Sequence, residues 1–515
     1  MASKSDTSSR NVIPDWKDFK TCFKSGELYG SCAQQLQISQ YPIAEYLEAW
    51  RSGKNIAIAG DLISAAIMNG YTNMHEVQDA AKYIMERPEQ CTSSLISTAQ
   101  SVFLSEKYDV NPQAQLSISD KLNAILNEEN IYKERVRYFK QLIRKFPYNP
   151  IWYVELSRCY VNLGILSKAA NVMQIAIHLS PSSRFISRSA ARLFLHIGDI
   201  DKAHDVLIHN PTLQYDPWLL ASEIAVNASI GRSSRFMKTG MSMVYSGNYS
   251  PFSFSELASA IGTKELEFSR KKGKSFLEKS LILPNDNSLS QADWLVNNDK
   301  SLSLDFSNVK KPILNFESEA RFAFLKEDYQ CALEKSVDWI EMMPFARTPI
   351  NFAADIAYTY QGDYANAIKI LQIGLKANPK DLSFMNNLAY AYALNGQTKE
   401  ADDILIKLLP LAAKETDIYI CAKATNGLNE YRKGHIELGR TLYSEAINHA
   451  KQIGAVNLVH KALLNNIREE VRVNSQYSSE FILLLDKLHT GNERETEAMK
   501  HEIKRMLYHS KAFEL

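Results

Sequence analysis

Apolar residues recur at helical spacing along most of the chain, in short runs broken by glycine or proline, and the strict alternation of a half-buried strand is absent. The stretch "YTYQGDYANAIKILQIGLKANP", Tyr358 to Pro379, is representative: Tyr358, Ile368 and Leu371 offer apolar surface, while glycine and alanine occupy positions where a core would otherwise want bulk. The spacing repeats. Gly396 lies 34 residues after Gly362, and Gly198 lies 34 after Gly164. Five residues after each of these glycines stands an alanine (Ala169, Ala203, Ala367, Ala401), and seventeen after Gly164 and Gly362 stands a proline (Pro181, Pro379). Glu327 takes the glycine slot of a further unit, because Ala332 and Pro344 follow at the same offsets, and Gly434 opens another with Gly439 in the alanine slot. Seven positions before the turn the residue is again small: Ser157, Ala191, Ala320, Ala389 and Gly427.

This register predicts a helix, a tight turn and a second helix, repeated. Glycine takes the left-handed conformation that ends the first helix, and an aspartate such as Asp363 or Asp199 caps the next. Small residues in the two facing slots let the paired helices approach, and proline stops the second helix. The expected fold is all-α, a solenoid of such hairpins in one or two arrays. The small residues are contact points between helices, with no catalytic duty implied.

The 34-residue pattern, with its G-D-Y-x-x-A block and terminal proline, resembles the tetratricopeptide repeat (TPR) family over Thr348 to Leu411, Asn149 to Pro217, Ile313 to Met343 and Ile418 to Ile453. The resemblance implies an α-solenoid whose concave groove binds peptides or protein partners. Two stretches depart from it: Pro217 to Asn248 has Ile224 and Phe236 in the small slots, and Ser253 to Pro284 is helical without a register. Asn11 to Leu28, "NVIPDWKDFKTCFKSGEL", resembles the start of bacterial tetratricopeptide proteins associated with PIN-type nucleases. No strand pattern for a nuclease accompanies it, so that resemblance implies a nuclease on a separate chain. The expected layout is a disordered N-terminus at 1–10, a degenerate helical-repeat region at 11–140, a first array at 141–284 and an Asn/Ser/Asp-rich linker at 285–312, either a loop containing one short helix around Trp294 or a segment folded across the groove. A second array follows at 313–454, then capping helices at 455–515, where Met499, Ile503, Met506 and Leu507 form one helical stripe.

Composition narrows the function classes. At 515 residues with 45% hydrophobic content the chain is long and rich in core residues, and 59 basic against 58 acidic residues leave a formal charge of +1. No global attraction to nucleic acid or anionic lipid follows, so partner choice is written locally. The six cysteines form no CxxC pair, which argues against a disulfide scaffold and a zinc module. The opening "MASKSDTSSR" lacks an apolar core and no window is long enough to span a bilayer. A soluble cytoplasmic chain is expected. No GxxxxGK[ST] loop, GxSxG elbow or HExxH helix is present, and His204 and His209 have no ligand partners at metal spacing. Neither cofactor, metal nor enzymatic activity is expected. The run "RKKGK", Arg270 to Lys274, reads as a solvated helix face, so nucleic acid would be reached only indirectly if at all.

Within a tetratricopeptide unit the first helix lines the groove, and counting back from each turn glycine gives the candidate partner-binding residues. In the first array the slots hold Glu155, Arg158 and Asn162, then Arg188, Arg192 and His196. Three guanidiniums brought together would favour an acidic segment, since arginine's planar fork pairs bidentately with carboxylates. In the second array they hold Phe352 and Tyr360, then Asn386, Asn387 and Tyr390, then Tyr431 and Arg432. Aromatics beside side-chain amides suit an extended peptide. Asn387 matches a common groove asparagine of the family, while Ser383, Asn386 and Ala424 depart from the carboxylate clamp of its chaperone-binding members. The leading expectation is a non-enzymatic scaffold or adaptor with a protein or peptide partner. The alternatives are a peptide-responsive regulatory sensor and an accessory subunit of a nucleic-acid-processing complex.

Overall fold

The computed structural model describes residues 10–16, 41–69, 71–104, 117–299, 301–309, 315–414, 416–475, 485 and 494–512. The expectations for residues 1–9, for Cys22 and Cys32, and for most of the nuclease-associated stretch lie outside these. Helix is the regular secondary structure of the described residues, with no strand among them. In chain order the helices are α1 (Tyr41–Ser52), α2 (Ile56–Asn69), α3 (His75–Met85), α4 (Ser93–Leu104), α5 (Ile118–Lys145), α6 (Pro150–Asn162), α7 (Leu166–Leu179) and α8 (Arg184–Ile197). Next come α9 (Ile200–Ile208), α10 (Pro217–Ser229), α11 (Met237–Tyr245), α12 (Ser255–Glu265), α13 (Arg270–Ser280), α14 (Asp286–Asn298), α15 (Glu317–Leu325) and α16 (Tyr329–Met342). The series ends with α17 (Arg347–Asp355, continued by a π-type turn at Ile356–Gln361), α18 (Tyr364–Ala377), α19 (Leu382–Leu394), α20 (Thr398–Leu408), α21 (Asp417–Arg432), α22 (Ile436–Gln452), α23 (Val456–Arg472) and α24 (Arg494–Ala512).

The predicted register is carried out atom by atom. Gly164, Gly198, Gly362, Gly396 and Gly434 all have positive φ, and so does Glu327 at +63°, in the slot where the sequence has no glycine. Asp199, Asp328 and Asp363 cap the following helices, each accepting a backbone N–H three residues on. The small slots face each other: Ser157 Oγ donates to the Ala169 carbonyl at 2.9 Å, and a Cβ on Gly427 would lie 3.1 Å from the Gly439 carbonyl. The atypical units keep the close approach by other residues. A Cβ on Gly240, four positions after Phe236, would meet Ile261, Leu257 and Ile224 at 3.0–3.5 Å, and Gly262 stands equally tight against Gly273. The register slips and the packing is retained.

Three features set where the inner surface lies. First, α5 is a single helix of 28 residues, capped by Ser117 and free of glycine and proline, and it runs through residue 141. It braces the second half, through Lys121 to Asp338 at 2.5 Å and through Lys369 and Lys376 to Ser119 Oγ and the Leu126 carbonyl. Second, the first half of the stretch expected as a linker is α14, which packs on α12 and α15. Third, the solenoid curls until its start meets its middle. Arg158 reaches the Met342 carbonyl at 3.3 Å, and Phe345, fully buried in the turn between α16 and α17, meets the His196 ring at 5.1 Å.

That closure gives a paired test. Gly164 and Gly198 are both left-handed turns, but a Cβ on Gly164 would lie 2.7 Å from the Lys376 carbonyl and 2.9 Å from Pro379, whereas one on Gly198 meets nothing. Gly198→Ala is expected to cost only the left-handed strain of about 1–2 kcal/mol. Gly164→Ala is expected to cost more and to raise amide hydrogen exchange near Lys376, which Gly198→Ala leaves unchanged. Equal effects of the two would contradict the contact.

Candidate functional site

The inner surface between α8, α14, α15 and the α16–α17 turn holds a segment of the chain itself. Residues 10–16, Arg-Asn-Val-Ile-Pro-Asp-Trp, carry no helix, and Pro14 removes one backbone donor from them. Val12 and Trp16 are buried, and Trp16 meets the Phe345 ring edge-on at 5.6 Å. At the other end Arg10 is fully engaged. Nε donates to Glu317 Oε1 at 2.9 Å, Nη1 to the Asn287 carbonyl and Gln291 Oε1, and Nη2 to Asn287 Oδ1 and Glu317 Oε2 at 3.0 and 2.8 Å. Five N–H donors meet five acceptors, the whole capacity of a guanidinium. Gln291 Nε2 returns a bond to the Arg10 carbonyl at 2.8 Å, and Asn287 Nδ2 donates to the Ile13 carbonyl at 2.9 Å.

The neighbouring helices set these acceptors in place. Asn285 and Ser288 form a capping box that starts α14. Asp286 then caps the next helix across the hairpin, accepting from the backbone N–H groups of Phe316, Glu317 and Ser318 at 2.9–3.1 Å. Glu256 on α12 accepts from Asn285 Nδ2 at 2.7 Å, and Arg321 Nε donates to Glu317 at 2.9 Å. Burial alone would raise the Glu317 carboxyl, but Arg10 and Arg321 outweigh it and hold the group down at about 2. A cavity of about 140 Å³ remains beside the segment, lined by Arg10, Asp15, Arg192, Glu317, Arg321 and Trp339 among others.

Of the first-array candidates, Arg158, Arg192 and His196 converge on the turn from Met342 to Phe345, with the Arg192 guanidinium 5.9 Å from the Phe345 ring. Arg188 points elsewhere, donating to Glu256 at 2.8 Å, to the Trp218 carbonyl and to Ser222. Arg192 Nε makes no hydrogen bond to another described residue, and burial lowers the guanidinium's affinity for a proton, with the charges of Asp15 and Glu317 opposing that.

The second-array candidates form two groups. Phe352 and Tyr360 join Phe324 and Tyr329 in an aromatic cluster in which Tyr360 stacks on Tyr329 at 4.6 Å. Asn386, Asn387, Tyr390 and Tyr431 are buried. Thr425 donates to Asn386 and Asn387 Nδ2 to Asn351, while α23 covers the tyrosines: Tyr390 donates to Asn465 at 2.9 Å and Tyr431 to Asn466 at 3.1 Å. Arg432 pairs with Glu469 of α23 at 2.8 Å. Helix α24 lies over α23 and touches the turn Ile356–Gln361, with Met499 and Ile503 buried against Leu464 and Ile467 and with Arg494 at the Phe324 and Leu325 carbonyls. In the "RKKGK" run Arg270 pairs with Asp299 at 2.7 Å. Among the described residues no cluster of three or more His, Cys, Asp or Glu could hold a metal, and no helix is long and apolar enough to cross a membrane.

Residues 358–423 match the family model for the tetratricopeptide repeat. That part of the chain carries tetratricopeptide repeats. No curated protein sequence matches it. Among solved structures it is similar to yeast Tom70, at 15% identity over 77% of this chain and 97% of that one, with a TM-score of 0.29. It is also similar to the P58(IPK) TPR domain, at 14% identity over 70% and 98% with a TM-score of 0.22, and to a human IFIT1 dimer with PPP-AAAA, at 14% over 94% and 99% with a TM-score of 0.27. At these scores the likenesses carry nothing about what the chain binds. Tetratricopeptide arrays are built for protein interaction, and the matched residues include Tyr360, Asn386, Asn387 and Tyr390.

Counting along the repeats missed Arg10, Trp16, Asn287, Gln291, Glu317 and Phe345, which build the occupied part of the inner surface. One signal was available: Val12, Ile13 and Trp16 place apolar bulk around a proline ahead of any helix.

His196 offers a test of how dry the surface is. Burial, with Arg192 and Arg347 adding to it, pushes its imidazole down to about 3. The folded chain therefore declines the proton that an unfolded His accepts below its ordinary value of about 6.5. Stability falls as pH drops from about 6.5 toward 3, by at most about 1.4 kcal/mol per pH unit through this residue. Denaturant titrations at pH 7.5 and 5.5 are expected to differ less in His196→Gln than in the wild type, by about 1 kcal/mol. An unchanged difference would place His196 in contact with water.

Proposed function

We propose that this protein is a non-enzymatic cytoplasmic scaffold that holds an extended segment of a protein partner along its inner surface. The observation that carries the reading is the seat of residues 10–16, where Gln291 and Asn287 donate to two main-chain carbonyls three residues apart. Side-chain amides that bond main-chain carbonyls hold an extended chain whatever its side chains, and charged and aromatic neighbours then select among sequences. Arg192, half-buried and with its Nε without a hydrogen-bond partner among the described residues, is the natural contact for an acidic residue of the partner. Phe352, Tyr360, Asn386, Asn387, Tyr390 and Tyr431 belong to a second inner region, and a partner there would compete with α23 and α24.

The test uses the full chain, tagged and recovered from its source cells. A partner in stoichiometric amount is expected, and Arg192→Glu is expected to retain roughly tenfold less of it, the worth of one charge-assisted contact. Recovery of no protein partner across several salt and growth conditions would refute the scaffold reading. Equal retention by Arg192→Glu would remove the acidic contact alone.

A further inference from the structure

We propose that Asn287, Gln291 and Glu317 form a docking cage for an arginine carried on an extended segment of the partner protein, and that Arg10–Trp16 holds this cage in cis. The inference rests on the scaffold reading and adds the chemistry of the ligand: an arginine, an acidic residue five positions on, and an aromatic residue directly after it. Four observations converge on it.

The acceptors match a guanidinium and nothing simpler. Glu317 takes the Nε and Nη2 edge, while the Asn287 carbonyl and Oδ1 and Gln291 Oε1 take the remaining N–H groups. A lysine offers three donors from one point and cannot span this fork. The cage is also built without the segment: Asp286 fixes the start of α15, the capping box fixes α14, Glu256 holds Asn285, and Arg321 gives Glu317 a second cation. A residue that merely completed a core would leave its acceptors without other support. These have it.

The rest of the segment reads as ligand in the same way. Asp15 and Arg192 line one cavity, and Trp16 rests against Phe345. That cavity, about 140 Å³, leaves room for an occupant larger than the resident segment.

A tethered occupant raises the threshold for any competitor, because its effective concentration is of order millimolar. The experiment weakens the occupant and supplies it again in trans. The full chain carrying Arg10→Ala and Trp16→Ala is titrated into a fluorescein-labelled, end-blocked peptide Arg-Asn-Val-Ile-Pro-Asp-Trp, followed by anisotropy. The double variant is expected to bind at least tenfold more tightly than the wild-type chain. Replacing the peptide's arginine by lysine, or adding Glu317→Gln to the variant, is expected to weaken that binding at least tenfold. If the double variant does not fold, Arg10→Lys takes its place, keeping charge and length while losing the fork. A variant with wild-type circular dichroism and melting that binds no peptide would overturn the proposal and make residues 10–16 a fixed part of the core. A dimer that forms with concentration and disappears in Arg10→Ala would also overturn it, since the occupant would then be a second copy. A cellular partner captured equally by wild type and Glu317→Gln would overturn it while leaving the scaffold reading intact.

Discussion

A guanidinium taken out of water needs an acceptor for every N–H it carries, and the inner surface is organised around meeting that demand for Arg10. Removing one partner from a buried ion pair typically costs about 3–5 kcal/mol, because the remaining charge is stranded. Glu317 therefore has to sit at one end of α15 with its carboxylate turned inward, and Asp286 secures this by capping that helix from the preceding one. The side chain of α14 that caps is adjacent in sequence to the one that binds. Cap and cage are one construction, so the geometry of the hairpin and the chemistry of the surface cannot vary independently.

The repeat was legible because its signals are local. A left-handed turn, a capping aspartate and two facing small residues all lie within one hairpin, and Glu327 kept its left-handed turn because Ala332 and Pro344 had already fixed the register. The slipped unit was not legible, since Gly240 does the work of the slot at Phe236 only because Leu257 and Ile261 of the next hairpin press on it. The occupied surface was illegible for a stronger reason: Arg10 and Glu317 are 307 residues apart, and no periodicity connects them. Composition marked a stretch with one short helix around Trp294, and a helix is there at Asp286–Asn298, but it did not show what the polar residues do. Asn, Ser and Asp favour helix caps as much as loops, since the same short side chains bond nearby backbone N–H groups in both. The stretch 285–312, read as a linker, spends Asn285 and Asp286 on caps and Asn287 on the cage.

The two halves of the inner surface reach a similar state by different routes. In the first, an extended segment supplies an arginine and a tryptophan. In the second, α23 meets Tyr390, Tyr431 and Arg432 with Asn465, Asn466 and Glu469, and α24 closes over it. Polar groups on an inner helical face have to be satisfied either by water or by protein. Here the chain's own ends satisfy many of them, which is why so many candidate groove residues are buried.

Curvature connects these facts. With Arg158 at the Met342 carbonyl and His196 against Phe345, the helices that begin the first array lie beside the hairpin that begins the second. The closure at Met342 and Phe345 brings α6 and α8 up to the α16–α17 turn. It also gathers residues from hairpins far apart in sequence onto one short peptide, so that seven residues can be met at one end by α14 and α15 and at the other by Phe345. In a repeat array stability is close to a sum of neighbour interfaces, but these contacts join units that are not neighbours. The segment at residues 10–16 therefore bears on the closure of the superhelix, since Trp16 rests on the same Phe345 ring that meets His196.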